Sequence, residues 1–268
     1  MGVRTNTAAF FDLDKTIIAK SSVLAFGRSF YREGLLSRRS IVKSLYAQVV
    51  FMLVGADEEK MEKLRVAMSA MTRGWNRDHV ASIVRETLND VIEPIIYAEA
   101  LELFDDHHAA GRRVVIVSSS PTEVVGPLAE FLGADDAIGT RAAVDAEGNY
   151  TGDLEFYAYG AYKAQAVREL AAREHVNLSM SYAYSDSITD LPMLELVGHP
   201  VAVNPDKELA RAARERDWEI REFAHPVRLR DRMPVPPAGP TIAVGGALAA
   251  AGAGVAVWWW LRRRNDAA

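Results

Sequence analysis

Two aspartates near the N-terminus, Asp12 and Asp14, have the type and the spacing to do chemistry. They follow the apolar run Ala-Ala-Phe-Phe at residues 8–11, which predicts a short buried strand. The carboxylates therefore stand where a strand ends and a loop begins, and open α/β sheets bind ligands outside that end of their strands. A pair of acids there can hold a divalent cation, and one acid can attack an electrophile that the cation polarises. The alternative is a solvated turn, since an Asp-x-Asp triplet is common by chance.

Further polar residues follow predicted strands or lie in the first turn of a predicted helix. Ser118 follows an apolar run that predicts a second buried strand, and Asp186 and Asp190 follow a later short strand. Lys163 lies in the first turn of a predicted helix. Because the carboxyl ends of parallel strands open on one edge of a sheet, these side chains can converge with the two N-terminal acids. Taken singly, each has a structural alternative: a turn serine, a surface lysine and aspartates that cap a helix.

Strands and helices alternate along most of the chain, which predicts a mostly parallel sheet with right-handed crossovers. The predicted strands are residues 8–11, 113–117, 138–144, 150–154, 182–184 and, last, 200–203. The predicted helices between them are 98–108, 122–132 and one that follows Gly160 and runs through His175. The pair 138–144 and 150–154 flanks Ala-Glu-Gly-Asn, a turn typical of a hairpin. Between the first two strands, residues 22–100 show apolar residues at helical spacing. Glycines divide them into about four helices, as expected of a small inserted bundle.

Composition narrows the classes of function. The chain has 268 residues, no cysteine and a net charge of −5. Disulfides, thiolate nucleophiles and cysteine-ligated zinc are therefore excluded, and the acidic balance argues against nucleic acid as a partner. The six histidines show no ligand spacing, so we interpret them as surface residues or as residues with satisfied hydrogen bonds. No apolar signal stretch precedes the first strand, which favours a cytoplasmic catalytic domain.

The C-terminal region has a different character. Residues 241–261 carry no charge, end in three tryptophans and a leucine, and are followed by three arginines. This length and this flanking pattern predict a single transmembrane helix that anchors the protein. A buried helix or an Ala/Gly-rich tail is the alternative. Arginines stand on both sides of the segment, so the orientation in the membrane stays open.

In order along the chain, four motifs resemble those of the haloacid-dehalogenase-like superfamily of hydrolases, in its phosphoserine-phosphatase-like branch. They are Asp-Leu-Asp-Lys-Thr at 12–16, Ile-Val-Ser at 116–118, Lys163, and Ser-Asp-Ser-Ile-Thr-Asp at 185–190. The resemblance covers roughly residues 8–225, including the helical insert. Lys15 replaces the glycine usual after the second acid, and Ser185 stands where glycine is common. Neither change removes a reacting group.

The resemblance implies a role for each acid. Asp12 would be the nucleophile and form an aspartyl-phosphate. Asp14 would be the general acid toward the leaving oxygen and then the general base toward water. Mg²⁺ would take oxygens from the Asp12 side chain, the Asp14 main-chain carbonyl and Asp186.

The remaining implied roles concern the phosphate. Ser118 and the backbone N–H of Ser119 would hold phosphate oxygens, next to the start of a helix that favours an anion. Lys163 would supply a positive charge to the phosphate and to the nucleophile. Asp190 would orient Lys163 or the waters on the metal.

The sequence thus predicts an α/β protein with a Rossmann-like, mostly parallel sheet, an inserted helical cap and a single C-terminal transmembrane helix. The predicted parts are a catalytic core at 1–21 and 101–233, the cap at 22–100, a proline-rich linker at 234–240, the anchor at 241–261 and a tail at 262–268. The predicted function is Mg²⁺-dependent hydrolysis of a phosphomonoester through an aspartyl-phosphate, at a membrane, with the catalytic domain in the cytoplasm. A phosphotransferase on the same fold and a non-catalytic, membrane-tethered binding module stay open as alternatives.

The substrate is less determined than the reaction. Phosphoserine phosphatases carry a glutamate shortly after the first motif, whereas residues 19–22 here are Ala-Lys-Ser-Ser. Lys20 favours an anionic or neutral leaving group, which puts phosphoserine in doubt. A small phosphorylated metabolite or a phosphorylated lipid head group is expected, the second because an anchor would hold the enzyme at the surface where lipids reside.

Overall fold

The computed structural model describes residues 6–36 and 69–224. The predicted linker, transmembrane segment and tail, together with residues 37–68 of the predicted cap, lie outside these described residues. Within the described ranges, no helix combines the length and the apolar character that crossing a bilayer requires.

One sheet of seven strands runs through the described residues, and its central strand is the first in the chain. The strands are β1 (Ala8–Phe11), β2 (Arg113–Pro121), β3 (Asp136–Val144), β4 (Tyr150–Phe156), β5 (Tyr182–Ser185), β6 (His199–Val203) and β7 (Glu219–Arg221). Their order across the sheet is β4-β3-β2-β1-β5-β6-β7. The β3–β4 hairpin is antiparallel, and the other neighbours are parallel. The predicted α/β fold with a mostly parallel sheet is confirmed.

The helices largely fall where apolar periodicity predicts them. They are α1 (Ser22–Arg32), α2 (Arg77–Val91), α3 (Ala98–Ala109), α4 (Thr122–Leu132), α5 (Ala161–Arg173), α6 (Leu191–Leu194) and α7 (Lys207–Glu215), with 3₁₀ turns at Glu93–Ile95, Leu178–Met180 and Ile188–Asp190. Local chemistry sets several of the ends. The Asp206 side chain accepts a hydrogen bond from the N–H of Leu209 and begins α7. Gly133, at a φ of 79°, takes the left-handed conformation that ends α4.

The sheet is buried on both faces. Ala9 and Phe11 of β1 face a core shared with α1 to α4, whereas Ala8 and Phe10 face a second core shared with α5, α6 and α7. A strand with both faces buried is apolar throughout, which is why residues 8–11 are recognisable in the sequence. The Phe11 ring stacks on Tyr184 of β5 with the ring centroids 4.2 Å apart. This packing holds the end of β1, and with it the residue that follows, in a rigid frame.

Two predictions about the strands were wrong. The strand at 200–203 is not the last, because β7 adds an edge strand. That strand is only three residues long, Glu-Ile-Arg, and two of them are exposed, so it has no apolar run to reveal it. The second strand does not stop at Val117 but continues to Pro121. The three serines that suggested its end lie within it.

The described parts of residues 22–100 contain α1, α2 and a 3₁₀ turn, as a helical insert requires. The insert is joined to the β3–β4 hairpin, because Gly74 donates a hydrogen bond to the carbonyl of Tyr150 and the N–H of Tyr150 donates to the carbonyl of Trp75. Its aromatic side chains also pack together, with the rings of Phe30 and Trp75 5.9 Å apart. The division into core and cap at residues 21 and 100 stays a prediction.

Candidate active site

The nucleophile expected from the sequence, Asp12, is held by both its main chain and its side chain. Its N–H donates to the carbonyl of Tyr184 on the neighbouring strand at 2.9 Å. Its Oδ1 accepts a hydrogen bond of 2.6 Å from Nζ of Lys163, which is only 3% exposed. Lys163 comes from the first turn of α5 and is therefore not the surface lysine of the structural alternative.

Lys163 has a second acidic partner. Its Nζ lies 2.8 Å from Oδ2 of Asp190, which ends the 3₁₀ turn after β5 and is itself buried. The same Oδ2 accepts a 2.7 Å hydrogen bond from the hydroxyl of Ser185. Ser185 stands where the family commonly has glycine, and here it helps to hold Asp190. Asp190 does not cap the following helix with its side chain, as the structural alternative required.

The charges of this cluster are not balanced. Burial lowers the pKa of Lys163, but Asp12 and Asp190 raise it overall, so the amine stays charged. Burial raises the pKa of Asp12 to about 8; Lys163 opposes this, whereas the carboxylates of Asp190 and Asp186 add to it. One buried ammonium group does not compensate three neighbouring acids.

Asp186 follows β5 and meets a lysine of the first motif. Nζ of Lys15 lies 3.8 Å from Oδ2 of Asp186, and the main-chain carbonyl of Asp186 accepts a hydrogen bond from the N–H of Asp206 at 2.8 Å. Burial raises the pKa of Asp186 to about 6, the charge of Lys15 lowers it, and Asp190 raises it. At Asp186, as at Asp12, burial and a neighbouring carboxylate outweigh the effect of the nearest ammonium on the pKa.

Lys15 adopts a backbone conformation that glycine adopts more easily. Its φ is 62°, and its N–H donates to the carbonyl of Ile18 at 2.6 Å in a tight turn. A side chain in this region costs about 1 kcal/mol or more relative to the right-handed form. That cost explains why the family usually has glycine here, and the ammonium beside Asp186 is what this chain has in its place.

The oxygen donors of Asp12, Asp14 and Asp186 suit a hard divalent cation. Within residues 6–36 and 69–224, no three histidine, aspartate or glutamate side chains are arranged to hold a metal ion by themselves. The set that the sequence implies needs only two carboxylates, of Asp12 and Asp186, with the main-chain carbonyl of Asp14. All three donors are oxygens, which Mg²⁺ prefers, and burial raises the pKa of both carboxylates, with neighbouring acids adding to the rise.

Asp14 has different partners from Asp12. Its Oδ1 accepts a 2.9 Å hydrogen bond from the N–H of Ser22, the first residue of α1. Burial raises the pKa of Asp14, and hydrogen bonds from Ser22 and Ser21 only partly oppose that rise. A carboxyl group with a raised pKa keeps a proton to higher pH, as a general acid must.

Ser118 lies inside β2, at a point where the register of that strand against β3 shifts. Its Oγ accepts a 3.1 Å hydrogen bond from the N–H of Ser120, so its own proton can be donated to a ligand. The neighbouring Ser119 has an exposed side chain, and its carbonyl accepts a 2.7 Å hydrogen bond from the hydroxyl of Thr140. Ser118 is thus not the turn residue of the structural alternative.

The structure brings the predicted residues together to different degrees. Asp12, Lys163 and Asp190 are in direct contact. Asp186 lies near enough to raise the pKa of Asp12. The roles assigned to the predicted residues stay predictions.

Two supporting residues were missed from the sequence. The hydroxyls of Ser22 and Ser120 share a hydrogen bond of 2.8 Å, and both serines are buried. They are 98 positions apart in the chain. No local pattern of residues signals such a contact.

Comparison with known proteins agrees with this geometry. A family model described as haloacid dehalogenase-like hydrolase matches residues 9–195. The chain is 55% identical over 265 residues to an "inhibition of morphological differentiation protein" of Streptomyces azureus, covering 98% of this chain and 96% of that protein. It is 54% identical over 253 residues to a protein of Mycobacterium tuberculosis named a probable phosphatase, covering 93% of this chain and 88% of the relative.

A second relative in Mycobacterium tuberculosis, named a phosphoserine phosphatase, is 39% identical over 245 residues, which are 91% of this chain and 79% of that protein. Among solved structures, a Bordetella pertussis protein of unknown function superposes with a TM-score of 0.71 at 26% identity, covering 81% of this chain and 98% of the other. The family match spans the first and the last of the four motifs. The chain therefore belongs to the haloacid dehalogenase-like hydrolase family, and within it to the phosphatases.

Proposed function

We propose that this phosphatase hydrolyses phosphomonoesters of small molecules through a phosphorylated Asp12, with Mg²⁺ as its cofactor. The observation that carries the proposal is the buried Lys163, whose Nζ lies within hydrogen-bonding distance of both Asp12 and Asp190. Burying a lysine is costly unless it is paired. A fixed ammonium beside the nucleophile has a catalytic function, because it attracts the phosphate dianion and stabilises charge in the transition state.

The reaction has two steps. In the first, an oxygen of Asp12 forms a bond to phosphorus, the bond from phosphorus to the leaving oxygen breaks, and Asp14 gives that oxygen its proton. In the second, a water oxygen forms a bond to phosphorus, Asp14 takes a proton from the water, and the bond between Asp12 and phosphorus breaks. The products are an alcohol and inorganic phosphate, and both aspartates return to their starting states.

The other residues bind and orient. The hydroxyl of Ser118 and the N–H of Ser119 would donate to phosphate oxygens, and Asp190 holds Lys163 toward the nucleophile. Asp12, Asp186 and the Asp14 carbonyl would hold Mg²⁺, which when bound reduces the repulsion between the nucleophile and the phosphate.

Two variants test the mechanism. With an aryl phosphate and Mg²⁺, Asp12→Asn is expected to abolish both turnover and the phosphorylated enzyme trapped by acid quench. Asp14→Asn is expected to slow turnover by about a hundredfold or more, while an activated aryl ester still phosphorylates the enzyme. Phosphoenzyme in Asp12→Asn, together with its loss in Asp14→Asn, would transfer the nucleophile's role to the second acid.

The substrate class is also a proposal. A relative named phosphoserine phosphatase supports a small phosphorylated metabolite. Lys15, Lys20 and the lack of an acid at residues 19–22 favour a leaving group that is anionic or neutral over one that carries an amine alone. A phosphorylated lipid head group stays the second candidate, because it combines such a leaving group with the predicted anchor.

A phosphate-release screen separates these candidates. The panel contains phosphoserine, other soluble phosphoesters, and lysophosphatidate or phosphatidyl esters in vesicles. Turnover of soluble esters without any release from lipids would remove the lipid candidate. Adding acceptor alcohols and looking for their phosphorylated products distinguishes hydrolysis from phosphoryl transfer.

We propose further that residues 241–261 anchor the enzyme in a membrane with its catalytic domain in the cytoplasm. The support is the uncharged length with its flanking tryptophans and arginines. The full chain should sediment with membranes after alkaline extraction, and the double variant Ala250→Lys, Ala253→Lys should be released by it. Equal extraction of both proteins would refute the anchor, and protease protection of the catalytic domain in sealed cells would report its side.

A further inference from the structure

A chain of hydrogen bonds links two predicted site residues through serines to which no role has been assigned. The N–H of Ser22 donates to Oδ1 of Asp14 at 2.9 Å. The Ser22 hydroxyl lies 2.8 Å from that of Ser120, and the N–H of Ser120 donates to Oγ of Ser118 at 3.1 Å. We call Asp14, Ser22, Ser120 and Ser118 the serine chain.

Ser22 stands at the centre of this chain. It is completely buried and is the first residue of α1, which begins the predicted cap. The first N–H groups of a helix have no partner within the helix, so the Ser22 N–H can serve Asp14 without weakening α1. The positive end of the helix dipole also faces the carboxylate. Its hydroxyl meets β2, which carries the predicted phosphate ligand.

We propose that Ser22 is a positioning residue, which holds Asp14 in line with the leaving oxygen while it fixes the start of α1 to the Ser118–Ser120 segment. This inference rests on the proposed function, in which Asp14 is the general acid. Ser22 need not touch the substrate. Its N–H orients the acid, and its hydroxyl keeps the acid in register with the strand that holds the phosphate.

Two variants of Ser22 remove one or both of these contacts. Ser22→Ala removes the hydroxyl and keeps the N–H. Ser22→Pro removes both, and proline is tolerated at the first position of a helix, where its missing N–H is not needed. The preceding Ser21 has φ −65° and ψ 127°, an extended conformation that a following proline favours. Ser29→Ala, a buried serine further along α1, is the matched control.

The readout is the dependence on the leaving group. We compare kcat/KM, which reports formation of the phosphoenzyme, for an aryl phosphate with an acidic phenol and for an alkyl phosphate. A phenolate can leave without a proton, whereas an alkoxide needs one from Asp14. The ratio of alkyl to aryl kcat/KM should fall about tenfold or more in Ser22→Pro and about threefold in Ser22→Ala, and should not change in Ser29→Ala. A loss of folding alone would lower both substrates equally.

The outcomes distinguish failure of the role proposed for Ser22 from failure of the proposed function. An unchanged ratio in folded Ser22→Pro overturns the inference. If that variant does not fold, an unchanged ratio in Ser22→Ala overturns it instead. Full activity of Asp12→Asn would instead refute the proposed mechanism. An inactive Asp12→Asn with a wild-type ratio in the Ser22 variants removes only the role of Ser22.

Discussion

The two acids of the first motif, Asp12 and Asp14, are separated by a single residue, yet they lie in different surroundings. Asp12 belongs to a charged cluster, with Lys163, Asp190 and the hydroxyl of Ser185. Asp14 belongs to the serine chain, where its partners are a backbone N–H and neutral hydroxyls. Residues i and i+2 of a continuing strand would point to the same side. Because β1 ends at Phe11 and a turn follows, Asp12 meets Lys163 of α5 whereas Asp14 meets the start of α1.

These surroundings suit two different roles. Burial raises the pKa of both acids, but the ammonium bonded to Asp12 opposes that rise and would, together with a bound cation, favour the charged form that a nucleophile needs. The hydrogen-bond donors to Asp14 in the described residues are neutral groups of Ser22 and Ser21, and its pKa stays raised, as suits a proton donor. The partners of each acid, rather than the acid itself, distinguish the roles we propose.

Removing the cation of the charged cluster should have the largest effect. Lys163→Met leaves Asp12 and Asp190 buried without their partner, so the free energy of unfolding at pH 8 should fall by about 3–5 kcal/mol. Phosphate release should fall by about a hundredfold or more. Urea denaturation and a phosphate assay measure the two effects, and Lys207→Met, at an exposed lysine, is the control. Adding Asp190→Asn should restore part of the stability but not the activity; activity restored with it would contradict the role of Lys163.

The buried His107 contacts Tyr184, the residue whose carbonyl binds the main chain of Asp12. Nδ1 of His107 accepts a hydrogen bond from Arg112, so the proton is on Nε2, which faces the hydroxyl of Tyr184 at 2.9 Å. Tyr184 in turn holds the N–H of Asp12. This arrangement confirms the interpretation of His107 as a satisfied histidine. Burial, together with the charge of Arg112, lowers its pKa to about 3.

The stability of the fold should therefore depend on this histidine at acidic pH. Below about pH 6.5 the unfolded chain binds a proton at this position that the folded chain refuses until about pH 3. Its contribution is present above pH 6.5 and is lost toward pH 3, at up to about 1.4 kcal/mol per pH unit. Urea denaturation of the wild type and of His107→Gln at pH 8, 6, 5 and 4 measures the difference. Parallel pH dependences of the two proteins would contradict it.

Lys15 should weaken metal binding at the edge of the charged cluster. Its side chain is 68% exposed, and its ammonium lies 3.8 Å from Asp186, where it would repel a bound divalent cation. Lys15→Met should therefore raise the affinity for Mg²⁺ by about threefold to tenfold, less at high salt. Calorimetric titration of the metal-free protein measures the affinity, with Lys20→Met as the control. Unchanged or weaker binding of Mg²⁺ by Lys15→Met would contradict this prediction.

The smallest effect is expected at Ser185, whose hydroxyl supports Asp190. Ser185→Ala removes one of two hydrogen-bond partners of that carboxylate and should cost about 1 kcal/mol of stability. Because Lys163 remains in place, kcat should fall by less than about tenfold. A loss as large as that of Lys163→Met would show that the serine, rather than the lysine, holds the acid.

Parts of the fold that have a strong local pattern of apolar residues could be predicted from the sequence. The strand at Ala8–Phe11 and the helix at Thr122–Leu132 have the predicted bounds, because a continuous apolar run or a helical period is a local signal. The continuation of β2 through Ser118 to Pro121 was not predictable in this way. Its pairing of Pro121 with Thr140 overrides the preference of serine and proline for turns.

The candidate site shows the same contrast between local sequence patterns and long-range contacts. The residue types and their order along the chain were enough to predict which carboxylates, hydroxyl and amine stand at the ends of strands. Local patterns did not reveal their partners. The resemblance alone indicated Lys163, which is 151 positions from Asp12, and no feature of the sequence indicated that Ser22 meets Ser120 across 98 positions.

Local features followed from the sequence alone: the apolar runs that become strands, the helical periods, and the acids that follow the first and fifth strands. The surroundings of those acids depend on the tertiary structure. The sheet places β1 between β2 and β5, and the helices α1 and α5 that pack on it bring Ser22 to Asp14 and Lys163 to Asp12. Local preferences act over a few residues, whereas the environment that shifts the pKa of each acid is built by segments that become neighbours only when the sheet forms.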